Sequence, residues 1–422
     1  MLTDALHKSR HRPRMLFVVN TAHFFISHRL PIAVAALKAG LDVHVAAPGD
    51  EEEVHLITST GCEFHPLTLP RANEGIFAEA YTWFLIACLV ARTRPNVIHA
   101  ITIKPVIYGG VAARLLGVGS VLFSITGLRY RSNCTAEPAI ATRIMAWFTK
   151  LALSHKNSRV IFQNTSDLEE FVGEGLCSRE SAVLIPGSGV DVGTQYRRRT
   201  PPTARTRPVV LLAARMVEGK GVREYAAAAK AINTPLPRAR FLLAGRVDQN
   251  EPRAVPIHEI MTWAQAGWIE WLGLRSDVPA LLAEADIACL PSHGGEGVPR
   301  FLLEALAAAN AIVTTDVPGC RDLVVNDVNG KLVQPASASG LQVALSELIV
   351  DAQRTARMGE MSPKMLSADH ELGSVVRRHL DLYTSLLSTD DADRLRQHLL
   401  YSSSAVLPAK SPIQTTSQDG TQ

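Results

Sequence analysis

Short apolar, β-rich runs alternate with amphipathic helical stretches along almost the whole chain, and this alternation leaves few architectures open. Strands separated by helices pack as parallel sheets covered on both faces, because each crossover must return the chain to the same sheet edge. In the first half the expected strands are 15–20, 42–47, 97–100, 121–124, 160–163 and 182–185, with helices such as 29–39, 105–116 and 140–153 between them. A second series has strands at 209–213, 240–244, 269–272, 287–290, 311–314 and 330–333, and helices at 223–232, 278–283 and 301–309. Helices at 337–351 and 372–387 close the pattern. Between the series lies 193–208, rich in Arg, Thr and Pro, which reads as a solvated linker. Two α/β units of similar size imply a cleft between them, where ligands usually sit.

Residues 1–14 read as a basic disordered extension, and Met15 is a candidate start. The units are then 15–192 and 209–365, followed by a helical segment 366–390 and a disordered Ser/Thr/Pro-rich tail 391–422. With 43 basic against 40 acidic residues there is no bulk field to favour nucleic acid. The six cysteines are scattered without a C-x-x-C pair, which favours reduced thiols in a cytoplasmic setting. The apolar stretch 15–19 is too short for a secretory signal. The longest apolar run, 81–91, has about half the length of a spanning helix, and reads either as a core-facing helix or as one with an interfacial face. Peripheral attachment to the cytoplasmic face of the inner membrane is the matching expectation, motivated by Arg12, Arg14, Trp83 and Phe84.

The segment Ser292-His293-Gly294-Gly295-Glu296-Gly297-Val298-Pro299-Arg300-Phe301-Leu302-Leu303-Glu304 carries the most chemistry. It joins a buried strand to an alanine-rich helix whose first turn suits Pro299. The open amides of that helix start, near Arg300 and Phe301, lie above a sheet edge and suit a phosphate. Glu304, about one turn in, can grip a vicinal diol such as ribose, and Glu296 can reach another hydroxylated group. Together they suggest a nucleotide sugar. Arg215 and Lys220 follow the strand 209–213, face the same crevice, and can neutralise a diphosphate without a metal. Gly245 follows the next strand and would let a planar ligand approach, while Arg246 either stacks on a base or is solvated.

In the first half, His28 and Arg29 stand at a helix start after the first strand. They could bind an anionic acceptor or help its hydroxyl lose a proton. Lys104, Thr126 and Arg129 follow two further strands on the same side, and the two cations add positive potential for a phosphorylated acceptor. No G-x-G-x-x-G, Walker loop or H-E-x-x-H occurs, and the single D-x-D, at 391–393, falls in the polar tail.

These residues resemble the retaining glycosyltransferases of the GT-B architecture, family four, in particular bacterial enzymes that build capsule, exopolysaccharide or O-antigen precursors on a lipid carrier. The likeness spans 15–387 and rests on Glu296 and Glu304 with Gly297 and Pro299 between them, on Arg215 with Lys220-Gly221, and on Ile185-Pro186-Gly187-Ser188-Gly189-Val190-Asp191. His23-Phe24-Phe25, Ile103-Lys104-Pro105 and Thr126-Gly127-Leu128 resemble the subgroup acting on polyprenyl-diphosphate sugars. Thr126 stands where many members have histidine, and Arg129 where the subgroup has glycine.

The resemblance implies two Rossmann-like domains facing across a cleft, with the C-terminal helix packing back on the N-terminal, acceptor domain. It implies transfer of a hexose or N-acetylhexosamine from a nucleoside-diphosphate sugar, UDP above all, with retention of configuration and with neither metal nor cofactor. Glu304 would hold the ribose, Arg215 and Lys220 the diphosphate, and Glu296 the sugar hydroxyls. Gly297, Arg300, Phe301, Gly245 and Arg246 would complete the donor side. His28 would act at the acceptor hydroxyl, with Arg29, Lys104, Thr126 and Arg129 around a lipid-linked saccharide. A non-hydrolysing sugar-nucleotide epimerase and a catalytically inactive interaction protein of the same architecture are the alternatives.

Overall fold

Two parallel sheets account for every strand in the computed structural model, which describes residues 12–69, 75–127, 140–193, 196, 206–248 and 251–401. The first contains β1 (Arg14–Val18), β2 (Asp42–Ala47), β3 (Glu63–Pro66), β4 (Val97–Ile101), β5 (Ser120–Ile125), β6 (Ser158–Phe162) and β7 (Ala182–Leu184) in the order β3-β2-β1-β4-β5-β6-β7. Its helices are α1 (Ala22–His28), α2 (Leu30–Lys38), α3 (Glu51–Ser59), α4 (Gly75–Thr93), α5 (Ile103–Leu115), α6 (Ile140–Leu153) and α7 (Thr165–Gly173). The second sheet contains β8 (Val209–Ala213), β9 (Arg240–Ala244), β10 (Glu270–Gly273), β11 (Ile287–Leu290), β12 (Ala311–Thr315) and β13 (Gly330–Val333), ordered β10-β9-β8-β11-β12-β13. It carries α8 (Val222–Asn233), α9 (Ile257–Gln265), α10 (Val278–Glu284), α11 (Arg300–Ala307), α12 (Ala338–Val350) and α13 (Ala352–Met361). The chain ends in α14 (Leu372–Leu386) and α15 (Thr389–Tyr401).

The central strands are continuous apolar runs, buried on both faces as parallel strands between helical layers must be. Strand order reverses between β1 and β4 in one sheet and between β8 and β11 in the other, which opens a crevice at the carboxyl ends of those strands. The loops after β1, β4, β8 and β11 are therefore the ones that can carry a site. The edge strand β3 was not expected. Only His65 of its four residues is buried, so its sequence carries little apolar signal.

The C-terminal helix crosses to the first lobe. Val375, Val376, Leu380, Tyr383 and Leu386 of α14 join the core built by β1, β2 and α2. The Ser120 hydroxyl and the Asn157 amide donate to the Leu386 carbonyl, fastening the far end of the helix. The tail expected to be disordered from 391 instead begins as helix α15, with Ala392 and Leu395 buried. Residues 1–11 and 402–422, and linker residues 194–195 and 197–205, lie outside the described residues.

Arg29 corrects a second expectation. It is 1% exposed, sealed between the lobe and α14, and cannot meet an acceptor. Burial lowers its basicity to about 10, while the Tyr383 side chain works the other way. Around it, His99 shares hydrogen bonds with the Tyr383 hydroxyl and the Ser124 hydroxyl, both 2.8 Å. His379 contacts the Val375 carbonyl at 2.7 Å.

Burial, with the charges of His379 and Arg29, holds His99 well below its ordinary value. Burial and Arg29 bring His379 down to about 3, and His28 is also held well below. These three groups stay neutral in the folded chain but take up protons in the unfolded chain below about pH 6.5, so they remove stability as pH falls. Asp167, raised by burial to about 6, binds its proton in the folded state and opposes one of the three. Folding stability, measured by urea denaturation, is expected to fall as the pH is lowered from about 7 to about 5. His379→Gln should shallow that slope.

Candidate active site

Glycine geometry puts Lys220 beside Glu296. Gly221, at φ +68°, lies so close to the strand-end loop that a Cβ there would fall 2.0 Å from the Pro291 carbonyl oxygen. The His293 amide donates to the Gly219 carbonyl at 3.0 Å, so the turn after β8 is tied to the loop after β11 on both sides of the lysine. Lys220 Nζ then meets Glu296 Oε1 at 2.5 Å, and the Ser292 hydroxyl donates to the same oxygen at 2.7 Å. Both side chains are largely buried, so the pair is little screened by water.

Glu304, one face further along α11, is buried and accepts from Arg300 Nε at 2.8 Å. Pro299 stands just before the helix (φ −65°, ψ 120°) rather than in its first turn, and no side chain caps the helix start. No side chain therefore competes for its first amides, the ones expected to meet a phosphate. The Phe301 ring is buried in the second lobe's core, so only its backbone can contribute.

The first lobe comes down on this loop. A Cβ on Gly127 (φ +120°) would meet the Gly295 carbonyl oxygen at 2.3 Å, and one on Gly297 would meet Gln163 Oε1 at 1.9 Å. Thr126 is thus at the inter-lobe contact. Arg300 also donates to the Ser27 carbonyl across the crevice.

His28 faces the cations Arg300 and Lys220 of the second lobe. Its ring stacks on Phe24 at 4.4 Å, and Nδ1 lies 2.7 Å from the Ser27 hydroxyl. That hydroxyl donates to the His23 carbonyl at 2.8 Å, so it accepts from Nδ1–H and leaves the lone pair on Nε2. Burial, then the charges of Arg300, Arg29 and Lys220, keep the ring neutral. The form present is a neutral ring that can accept a hydrogen bond at Nε2, and not the imidazolium that would bind an anion.

Other expected residues are not brought together with these. Arg215 is mostly exposed and lies 3.8 Å from Glu251. Arg246 is exposed, and Gly245 is needed for a different contact: its Cβ would fall 1.9 Å from the Ala214 carbonyl oxygen of the neighbouring loop. Lys104 is paired with Glu79 at 2.7 Å, which reduces the positive potential expected from it. Arg129 lies outside the described residues. Gln163 and Asn164, at the end of β6, were missed, since uncharged amides give no chemical signal in a sequence.

Among the described residues, His44, Glu63 and His65 could hold a metal ion by spacing. Hydrogen bonding accounts for them without one. Arg92, which can only donate, is 3.3 Å from His65 Nδ1; Nε2 of His65 then donates to His44 Nδ1 at 2.9 Å, and His44 Nε2 faces Asp42. The group sits on β2 and β3, outside the Lys220–Glu296 site.

Residues 14–164 match the family model "Glycosyl transferase 4-like", and 207–351 match "Glycosyl transferases group 1". The chain is a family-four glycosyltransferase. It is 25% identical over 387 residues to the N,N'-diacetylbacillosaminyl-diphospho-undecaprenol alpha-1,3-N-acetylgalactosaminyltransferase of Campylobacter jejuni, covering 86% of this chain and 98% of the relative. A shorter match, 24% over 256 residues, covers 58% of this chain and 64% of an Escherichia coli UDP-Gal:alpha-D-GlcNAc-diphosphoundecaprenol alpha-1,3-galactosyltransferase. HepE of Anabaena, solved with UDP and glucose, superposes with a TM-score of 0.71 at 18% identity over 89% of this chain and all of its own. The fold is thus the two-domain GT-B fold, and none of these relatives favours the epimerase reading.

Lys220→Ala is expected to lower kcat by about 10²–10³-fold, measured in steady-state transfer assays. It should also cost about 1–3 kcal/mol of stability by leaving Glu296 unpaired. Adding Glu296→Gln should restore the stability, read by denaturation, but not the activity.

Proposed function

We propose that this glycosyltransferase moves a hexose or N-acetylhexosamine from a UDP-sugar to a polyprenyl-diphosphate-linked saccharide, with retention and without a metal. The observation that carries the reading is the convergence of Lys220, Glu296 and Arg300 from one lobe on His28 from the other. Lys220 and the open amides of α11 provide positive charge where a diphosphate leaves, and Arg215, exposed on the loop after β8, is free of the core to add a second cation. Glu304 is the diol-binding carboxylate and Glu296 the group for the sugar hydroxyls.

In this reading the bond from C1 to the diphosphate oxygen breaks as the acceptor oxygen bonds to C1 on the same face. The acceptor proton passes to the departing phosphate oxygen, with neutral His28 orienting the hydroxyl. The acceptor class is supported by what the Campylobacter jejuni and Escherichia coli relatives are named for.

A membrane-borne acceptor also suits the surface of the first lobe. Among the described residues no helix is long and apolar enough to cross a membrane. Phe77, Tyr81 and Phe84 of α4, and Ile144, Trp147 and Phe148 of α6, are nevertheless exposed on the two helices flanking α5, with Arg143 and Lys150 beside the second group. Aromatic rings with flanking cations are the composition of an interfacial face. We place this face against the cytoplasmic leaflet.

The test is transfer from a panel of UDP-sugars to a polyprenyl-diphosphate-linked saccharide, with product configuration read by NMR. An α-configured product from an α-configured donor, at a rate unchanged by EDTA, is expected. An inverted product, or loss of activity on chelation restored by a divalent ion, would contradict the proposal. Trp147→Glu should reduce binding to anionic vesicles in a flotation assay while leaving UDP affinity unchanged.

A further inference from the structure

The Glu296 carboxylate is carried by a loop of the second lobe, yet its backbone is fastened by side chains of the first. Gln163 Oε1 accepts from the Val298 amide at 3.1 Å. Asn164 Nδ2 donates to the Gly297 carbonyl at 3.1 Å and to the Glu296 carbonyl at 3.3 Å. The orientation of that amide is fixed by Asp167. Its backbone N–H donates to Asn164 Oδ1 at 2.8 Å, and its carboxylate lies 3.0 Å from Nδ2. Oδ1 thus caps α7 and Nδ2 has to face the loop. Gly297 is the residue type this contact demands, because any Cβ would displace Gln163.

We propose that Gln163 and Asn164 are positioning residues of the transfer reaction: they set the Glu296 carboxylate against Lys220 through the backbone of Glu296–Val298. The sugar-facing end of the donor site is then complete only while the first lobe holds the loop. The diphosphate and ribose end, on α11, Lys220 and Glu304, needs no such help. This rests on the reading of Glu296 as the group facing the donor sugar. Both side chains are engaged by the loop backbone and the start of α7, so on this proposal each acts on the turnover step and not on nucleotide affinity.

Two variants of the full-length enzyme separate this from plain structural damage. Gln163→Leu keeps the bulk and loses the acceptor. Asn164→Ser keeps a cap for α7 and loses the reach to the loop. Each is expected to lower kcat by about 10–100-fold, as a displaced catalytic group does. The dissociation constant for UDP should stay within about twofold of wild type. Gln163→Glu, which retains an acceptor for the Val298 amide, should recover part of kcat.

Hydrogen exchange of the peptide covering 291–303, followed in the same proteins with and without UDP, should be faster in both loss-of-contact variants. Wild-type kcat in both would overturn the proposal. So would UDP affinity falling in parallel with kcat, or exchange identical to wild type. If no acceptor supports transfer even by the wild type, the functional reading fails by itself, and the exchange data still decide whether these amides hold the loop.

Discussion

Close approach of backbone to backbone across the crevice is the constraint on which the site depends. At Gly127, Gly297 and Gly319 the contact is so tight that a single added carbon would strike a carbonyl oxygen or an amide side chain within about 2 Å of its centre. Gly319 fits beneath the Gly297 carbonyl from the same lobe, while Gly127 and Gln163 press on it from the other. The loop 292–298 that carries Glu296 is therefore held from both sides. With a side chain at Gly127 or Gly297, the lobes would stand further apart and Lys220 and Arg300 would no longer face His28.

Electrostatics follows from that geometry. Lys220, Arg300 and Arg29 all bear on one imidazole, and the two carboxylates nearest them, Glu296 and Glu304, are already spent on Lys220 and Arg300. Such a place favours an arriving dianion and disfavours another proton. A neutral His28 with its lone pair on Nε2 fits a reaction in which the negative charge belongs to the leaving diphosphate. Arg29 contributes only at a distance. It is walled off by α14, and its charge is tolerated because the neighbouring histidines give up theirs.

Much of this was legible in the sequence because the alternation of strands and helices is regular and the central strands are buried on both faces. The strands β2, β8, β9, β11 and β13 have the expected bounds residue for residue. Motif spacing likewise brought Lys220 and Glu296 to one crevice. What local pattern could not supply was long-range cover. Nothing around Arg29 announces that Tyr383 will close over it from the far end of the chain. The helix start at Ser388-x-x-Asp391, with Asp390 and Asp391 in the first turn, was passed over because apolar residues are sparse there; among the described residues Ala392 and Leu395 anchor the segment. Gln163 and Asn164 escaped because their role lies in what they touch rather than in what they are. At Gly245 the expected conformational freedom also serves a close contact with the neighbouring loop, which the sequence did not show.

The two lobes divide their labour in a way the topology explains. The second lobe offers charge and open amides at the β8–β11 switch point, elements suited to a phosphorylated donor whatever sugar it carries. The first lobe offers neutral amides and one neutral imidazole, which can orient a hydroxyl but not bind a phosphate tightly. On the proposed reaction, affinity for the nucleotide is then a property of one lobe, and use of the bound donor a property of both. An acceptor anchored beyond the crevice, against the aromatic face of α4 and α6, would need to present only its terminal hydroxyl to His28. Recognition of the acceptor's lipid end would then rest on α4 and α6, elements that carry none of the crevice residues, and could add binding energy without disturbing the tight contact at Gly127 and Gly297.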